Sequence, residues 1–391
     1  NDSLTWGVVL TLFAPMLLDY SLPFLPVTMG TSSRTIIIGF LIAIFGLGQF
    51  IAAPMLGALS DHIGRKKVLL ISLWGSAFSS ALSAIGVYSY SLVLLFLSRL
   101  LAGGASGNLP IAQASIADLS TEKNKAKNLS LVGTMAGVAW IVGPPIGGKL
   151  ADPKWFNFAA PFWFVAASFA INAIMVHFQF RETFFKEVKE GHGLKEEFKA
   201  IIDCFTMPKV KWVLLANFLQ LVGWFSFLFF YPTYFVQKFG LNQSEIGNYS
   251  GYLSLWFLGA NLYFSKYMSH KIEPKHLIVL PLILLAGGIF VSLGFTKAWY
   301  FLFTFPFISI GSALSWVGFM AILSNLAGEK NQGKIFGVMQ SIQSIGLFLS
   351  PFLSGFFSAK NQGLPLLLGV IFLLVSAFCH YFFFIRRERK R

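Results

Sequence analysis

Two ionisable side chains stand inside long apolar runs of this chain: Asp19, in Pro15-Met16-Leu17-Leu18-Asp19, and Arg99, in Leu97-Ser98-Arg99-Leu100-Leu101. At the centre of a membrane helix each costs about 2.5–3.5 kcal/mol, so each is expected to face a partner or a water-filled cavity. Asp19 lies nine residues from Thr28 and Arg99 eight residues from Ser91. In helices of opposite direction, at about 1.5 Å per residue, those offsets put the two at nearly the same depth. The spacing predicts that they pair. A proton or a substrate cation competing with Arg99 for the carboxylate would then couple transport to a proton gradient, because burial and a neighbouring cation act on an acid's proton affinity in opposite senses. The alternative is a static buried pair that specifies packing.

The elements that would hold such a pair follow from composition. The chain is 55% hydrophobic and 12% charged, with a mean hydropathy of +0.68, which leaves too little polar surface to cover a water-soluble globule. Apolar segments recur at roughly 4–29, 36–59, 68–88, 91–117, 128–151, 160–180, 210–236, 246–268, 276–296, 298–323, 335–358 and 363–385. Each is long enough to cross about 30 Å of hydrocarbon as a helix. The alternating ten-residue segments of a membrane β-barrel are absent. The expected fold is an all-α membrane protein of twelve transmembrane helices. The first segment lacks the basic start and small-residue cleavage site of a signal peptide and is read as a mature helix.

The net charge of +14 raises the question of nucleic acid, and the placement of the cations answers it. With alternate loops assigned to opposite faces, 23 of the 30 Lys and Arg fall on one face, including Arg65, Lys66 and Lys67 and the cluster from Arg386 to Arg391. The other face carries Arg34, Lys149, Lys154, Lys238, Lys297 and Lys360. This asymmetry is the positive-inside pattern, so the charge reports topology, with both termini cytoplasmic in a plasma or inner membrane, and no nucleic-acid partner is expected. Cys204 and Cys379 lie in different environments, and no disulfide or metal site follows from them.

A shift of 207 residues superposes Glu122-Lys123-Asn124 on Glu329-Lys330-Asn331, Lys127 on Lys334, Pro144 on Pro351 and Gly148 on Gly355. The chain therefore reads as two pseudo-symmetric six-helix bundles, residues 1–180 and 210–391, joined by a cytoplasmic linker at 181–209. Duplicated halves of this kind suit transporters that rock about a mid-membrane site. Within the linker, Phe198, Ile201, Ile202 and Phe205 recur at helical spacing among charges, as in a helix lying on a membrane surface.

Three motifs carry a resemblance. Gly57-Ala58-Leu59-Ser60-Asp61-His62-Ile63-Gly64-Arg65-Lys66 resembles the G-x-L-x-D-R-x-G-R-K loop between the second and third helices of major facilitator superfamily transporters, with His62 where Arg is usual. Arg99 followed by Gly103-Gly104-Ala105-Ser106-Gly107 is similar to that family's fourth-helix signature. Gly133, Gly137 and Gly143-Pro144-Pro145-Ile146-Gly147-Gly148 look like the G-x-x-x-G-P-x-x-G-G run of its drug/proton antiporter branch, with Ala139 in place of the first Gly. The whole chain is similar to the twelve-helix antiporters, tetracycline exporters included. It lacks the acids those exporters carry in their third and ninth helices, since neither 68–88 nor 276–296 holds Asp or Glu.

The resemblance implies a gating set of Gly57, Asp61, Gly64, Arg65, Lys66 and Asp118. In it Asp61 would face the start of a helix from the other half, where unpaired N–H groups favour an anion, and Arg65 would pair with Asp118 at the same membrane level. It implies an antiporter motif of Gly137, Gly143, Pro144, Gly147 and Gly148 that kinks and packs the fifth helix. It also implies a cavity between helices 1, 4, 7 and 10, where Tyr20, Gln113, Asn217, Gln220, Trp224, Tyr231, Trp316 and Asn325 would meet an amphipathic ligand. The expected function is proton-coupled export of an amphipathic small molecule by a monomer in the lipid bilayer, with protons as coupling ion and no other cofactor or metal. Uptake by symport and a non-transporting receptor are the alternatives. No P-loop, zinc motif or nucleophile constellation points to an enzyme.

Overall fold

In the computed structural model, residues 1–183, 210–264, 273 and 276–385 are described. The linker helix expected around Phe198–Phe205 and Cys204 fall outside them. Among the described residues the chain is helical and no strand occurs. Its helices are α1 (Asp2–Leu10), α2 (Phe13–Leu18), α3 (Thr31–Ile63), α4 (Arg65–Tyr88), α5 (Leu92–Ala105), α6 (Asn108–Leu119), α7 (Glu122–Leu150), α8 (Ala160–Gln179), α9 (Val210–Phe239), α10 (Gln243–Tyr263), α11 (His276–Leu293), α12 (Phe301–Lys360) and α13 (Leu364–His380). Nine stretches among the described residues are long and apolar enough to cross a membrane, and Asp2–Leu18 and Leu277–Leu293 are shorter apolar helices. With α10, twelve helical segments match the twelve apolar segments of the sequence.

Among the described residues, thirteen helices make up twelve spans because two spans are broken and one helix covers two spans. The first divides at Thr11-Leu12 into α1 and α2, and the fourth divides at Ser106-Gly107 into α5 and α6. Each break lies four residues before a proline, Pro15 and Pro110. A proline has no N–H for the carbonyl four residues back, and its ring crowds that carbonyl. The freed carbonyls belong to Thr11 and Ser106. By contrast α7 runs without interruption through Pro144 and Pro145. Between the tenth and eleventh apolar segments the backbone stays helical, from Phe301 through Lys360.

The chain forms two compact units. The first holds Asn1–Gly30, Leu41–Glu196 and Asn242–Gly251, and the second holds Thr31–Phe40, Glu197–Leu241 and Tyr252–Arg391. Thus α3 begins in the second unit and ends in the first, and α10 does the reverse. In the first unit α4 packs on α5 and α8, and α1 on α7; in the second, α9 packs on α12 and α13, and α11 on the same two helices.

Each exchanged helix end is seated by one copy of the sequence repeat. In the first unit a side chain at Gly247 would meet the Pro144 carbonyl oxygen at 2.5 Å, and one at Gly251 the Pro145 ring at 2.8 Å. In the second unit a side chain at Gly39 would meet the Pro351 carbonyl oxygen at 2.6 Å and the Gly355 Cα at 2.8 Å. Pro144 and Pro351 are the repeat-related prolines. Small residues allow such backbone approach in lipid, where helices associate by close packing. Gly247→Val and Gly39→Val are each expected to cost about 1–3 kcal/mol by overpacking, seen as a lower thermal midpoint in size-exclusion chromatography of the detergent-solubilised protein. Gly133→Ala, at a position with nothing within 4 Å, is expected to leave the midpoint unchanged or raised.

Candidate functional site

The motif residues expected in the first unit fall in three places. The first is the junction between the second and third spans. Gly64 alone separates α3 from α4, with φ of 100°, a conformation that favours glycine. Arg65 Nε lies 3.2 Å from Asp118 Oδ2 at the end of α6, and its Nη1 donates to Ser60 Oγ at 2.9 Å. The backbone N–H groups of Arg65 and Lys66, the first two of α4, donate to the Glu182 carboxylate at 2.9 and 3.1 Å. A side chain at Gly64 would collide with that carboxylate, so the glycine is needed for space as well as for φ. The acid on a helix start is therefore Glu182, just beyond the sixth span, meeting the positive end of α4. Sequence reading passed it over as linker; its signal was an acid placed immediately after an apolar run. The Asp61 side chain lies outside the described residues, and Gly57 faces open space.

The second place is the antiporter run on α7. A side chain at Gly147 would meet the Val8 Cα at 2.8 Å, and one at Gly143 the Leu4 carbonyl oxygen at 3.2 Å, so both glycines seat α1. Gly148 faces the Gln243 carbonyl of α10 on another side. Pro144 reaches both neighbours, its ring toward Gly7 and its carbonyl toward Gly247. Gly137 is half-buried in the same helix. The motif packs one helix against two others and does not interrupt its own helix.

The third place corrects the expected Asp19–Arg99 pair. Helix α2 ends at Leu18, so Asp19 sits in extended backbone, exposed, its Oδ1 accepting from the Ser21 N–H at 2.8 Å and the Ser21 hydroxyl at 2.7 Å. From Asp19 to Gly30 the chain is not helical, which invalidates a depth counted there at a helical rise. Arg99 is 2% exposed, and its Nε and Nη2 have no hydrogen-bond partner. The rings of Phe45, Trp6 and Phe13 surround its guanidinium, with centroids at 4.9, 5.5 and 5.7 Å. Arg34, counted above among the cations of one face, lies inside α3 and is fully buried.

A carboxylate that the sequence reading did not single out, Asp2, accepts from Asn108 Nδ2 at 2.8 Å, and Asn108 in turn accepts from the Ser72 hydroxyl. Asp2 and Asn108 border a cavity of about 700 Å³, mostly apolar, formed by α1, α4, α6, α7 and α8. None of the eight residues expected to line a cavity borders this one. Tyr20, Gln113 and Asn325 are exposed, and Trp224 and Trp316 are half-buried. Asn217, Gln220 and Tyr231 are buried in the second unit, where Asn217 Nδ2 donates to Gln220 Oε1 at 3.2 Å and Gln220 Nε2 to Ser315 Oγ at 3.4 Å. Tyr231 stacks on Phe227 with centroids 5.3 Å apart. Buried amides take whatever partner the core supplies, and side-chain type alone does not tell a cavity wall from a core.

A chain of twelve apolar helical segments, with a Gly-Arg-Lys turn after the second and a Gly-Pro run in the fifth, has the form of a membrane transporter. It matches the Major Facilitator Superfamily over residues 4–280 and 213–391, and it belongs to that family. It is 27% identical over 363 residues to a tetracycline resistance protein, class H, of Pasteurella multocida, covering 88% of this chain and 86% of that one. It is 25% identical over 361 residues to the quinolone resistance protein NorA of Staphylococcus aureus, covering 87% of each. Among solved structures, the D-xylose–proton symporter superposes with a TM-score of 0.73 at 18% identity, over 98% of this chain and 96% of that one. The chain is thus a multi-pass membrane transporter and not an enzyme.

Replacing Glu182 by Ala removes both acceptors at the start of α4 and is expected to cost about 0.5–2 kcal/mol, as loss of a helix cap does. Glu182→Gln, which keeps one acceptor oxygen, is expected to lose less. Thermal unfolding of the purified protein measures both.

Proposed function

We propose that this protein exports amphipathic small molecules in exchange for protons. The observation that carries the reading is the fifth-span run Gly143-Pro144-Pro145-Ile146-Gly147-Gly148, which seats α1 on one side and the start of α10 on another. A helix holding two others by backbone contact suits bundles that must close one end of a path and release it. The relatives named for tetracycline, quinolone and multidrug resistance support efflux over uptake.

Alternating access requires that the junction of α3 and α4 part and reform. Arg65, Asp118 and Glu182 hold it by charge-assisted hydrogen bonds, which are strong yet separable when water enters. The charge asymmetry of the loops favours cytoplasmic termini. The proton needs a carboxylate, and the first span offers two: Asp19 at its far end, reachable by water, and Asp2, hydrogen-bonded to Asn108 at the edge of the cavity.

In proteoliposomes loaded with ethidium or a fluoroquinolone, an imposed pH gradient is expected to drive efflux with counterflow of protons. That pH-driven component is expected to disappear in Asp19→Asn or in Asp2→Asn, while downhill movement of the substrate persists, and the variant that loses it identifies the coupling acid. Full pH-driven efflux in both variants overturns the coupling by either carboxylate. Efflux indifferent to pH in the unaltered protein overturns antiport itself.

A further inference from the structure

Arg99 is a buried cation that its surroundings do not neutralise. It is 2% exposed, no carboxylate among the described residues lies within ion-pair distance of it, and two of its nitrogens lack any acceptor. The three rings around it offer π faces, which stabilise a cation by about 0.5–2 kcal/mol each. Removing an ion from water costs several kcal/mol even after relaxation, so rings alone offset only part of it. A guanidinium also presents its N–H donors as an in-plane fork, and a ring face does not fill them.

The cage is built where the first span is broken. Trp6 comes from α1, before the break, and Phe13 from α2, after it, while Phe45 comes from α3. Helices α3 and α5 are in backbone contact beside it, since a side chain at Gly48 would meet the amide nitrogen of Gly104 at 3.0 Å, and one at Gly103 the amide nitrogen of Gln49 at 3.0 Å. That side of the cage is fixed. Trp6 is half-buried and is the most exposed of the three rings. Discontinuous helices in membrane transporters are where charged groups of a substrate are held.

We propose that Arg99 and its ring cage bind the carboxylate of an aromatic organic anion. The inference rests on the export reading above and names a substrate class for it. The fork of the guanidinium matches the two oxygens of a carboxylate in bidentate geometry, and the aryl group takes its place among Trp6, Phe13 and Phe45. The bound pair is neutral, which suits passage through an apolar interior better than either charge alone.

The test uses the purified full chain in lipid nanodiscs and three probes of one shape, 1-naphthoate, 1-naphthamide and 1-naphthylmethylammonium, with affinities from isothermal titration calorimetry. Naphthoate is expected to bind at least tenfold more tightly than the amide, and the ammonium most weakly. In Arg99→Gln the acid and the amide are expected to bind within about twofold of each other, while Arg99→Lys keeps part of the preference, a point charge replacing the fork. Equal binding of acid and amide to the unaltered protein, or no binding of the acid, overturns the proposal whether or not the variants fold. So does an acid preference that survives in Arg99→Gln. Acid-selective binding without pH-driven efflux of any substrate would sink the export reading and leave the site standing. Efflux of ethidium with no acid preference would do the reverse.

Discussion

The constraint on which the rest of the structure depends is the approach of a glycine to a proline carbonyl, made twice. Gly247 meets Pro144 in one unit and Gly39 meets Pro351 in the other, with almost the same separation. A proline at these positions leaves a carbonyl four residues earlier without its amide, yet it keeps its own carbonyl as a surface on which a bare backbone can rest. Only glycine can come that close. Because the two prolines are equivalent under the 207-residue repeat, each unit holds an end of a helix whose remainder belongs to the other. In lipid, where apolar side chains gain little by leaving one apolar medium for another, this geometric fit takes the place of the hydrophobic effect.

The charged residues work at the opposite scale, through a few directional bonds. Gly64 compresses the turn between the second and third spans to one residue, which brings the start of α4 beside Glu182 and Arg65 beside Asp118. Two acids therefore hold one short segment, one through the backbone of a helix start and one through a guanidinium. Arg99 is the counterpoint, a cation enclosed by rings with donors unfilled. One ion pair and one capped helix start hold the junction, while the cation at the broken span keeps donors unfilled.

Much of the fold was legible because hydrocarbon imposes a single rule on every segment: satisfy the backbone internally, over about twenty residues. The twelve segments, the prolines, the repeat and the tight turn at Gly64 all follow from residue type and spacing. The pairing of Arg65 with Asp118 was legible too, since both stand at helix ends that the charge pattern assigns to one face. The Asp19–Arg99 pair failed for a local reason. The depth comparison assumed a helical rise between Asp19 and Thr28, where the chain is not helical, and Asp19 emerges past the end of its helix. The amides Asn217 and Gln220 bond to one another within the second unit, a partnership that side-chain type does not announce.

What the sequence alone determined is therefore everything governed by one-dimensional rules: helix, span, face of charge, repeat and family. Those rules act residue by residue against a uniform solvent, so order and spacing suffice. What only the tertiary structure decided is which groups meet across helices, such as Glu182 on the start of α4, Asp2 on Asn108, and the rings of Trp6, Phe13 and Phe45 around Arg99. Those contacts depend on helix breaks and on backbone approaches of a few ångströms. Residues distant in the chain meet in space only once glycines and prolines have set how closely the helices that carry them can pack.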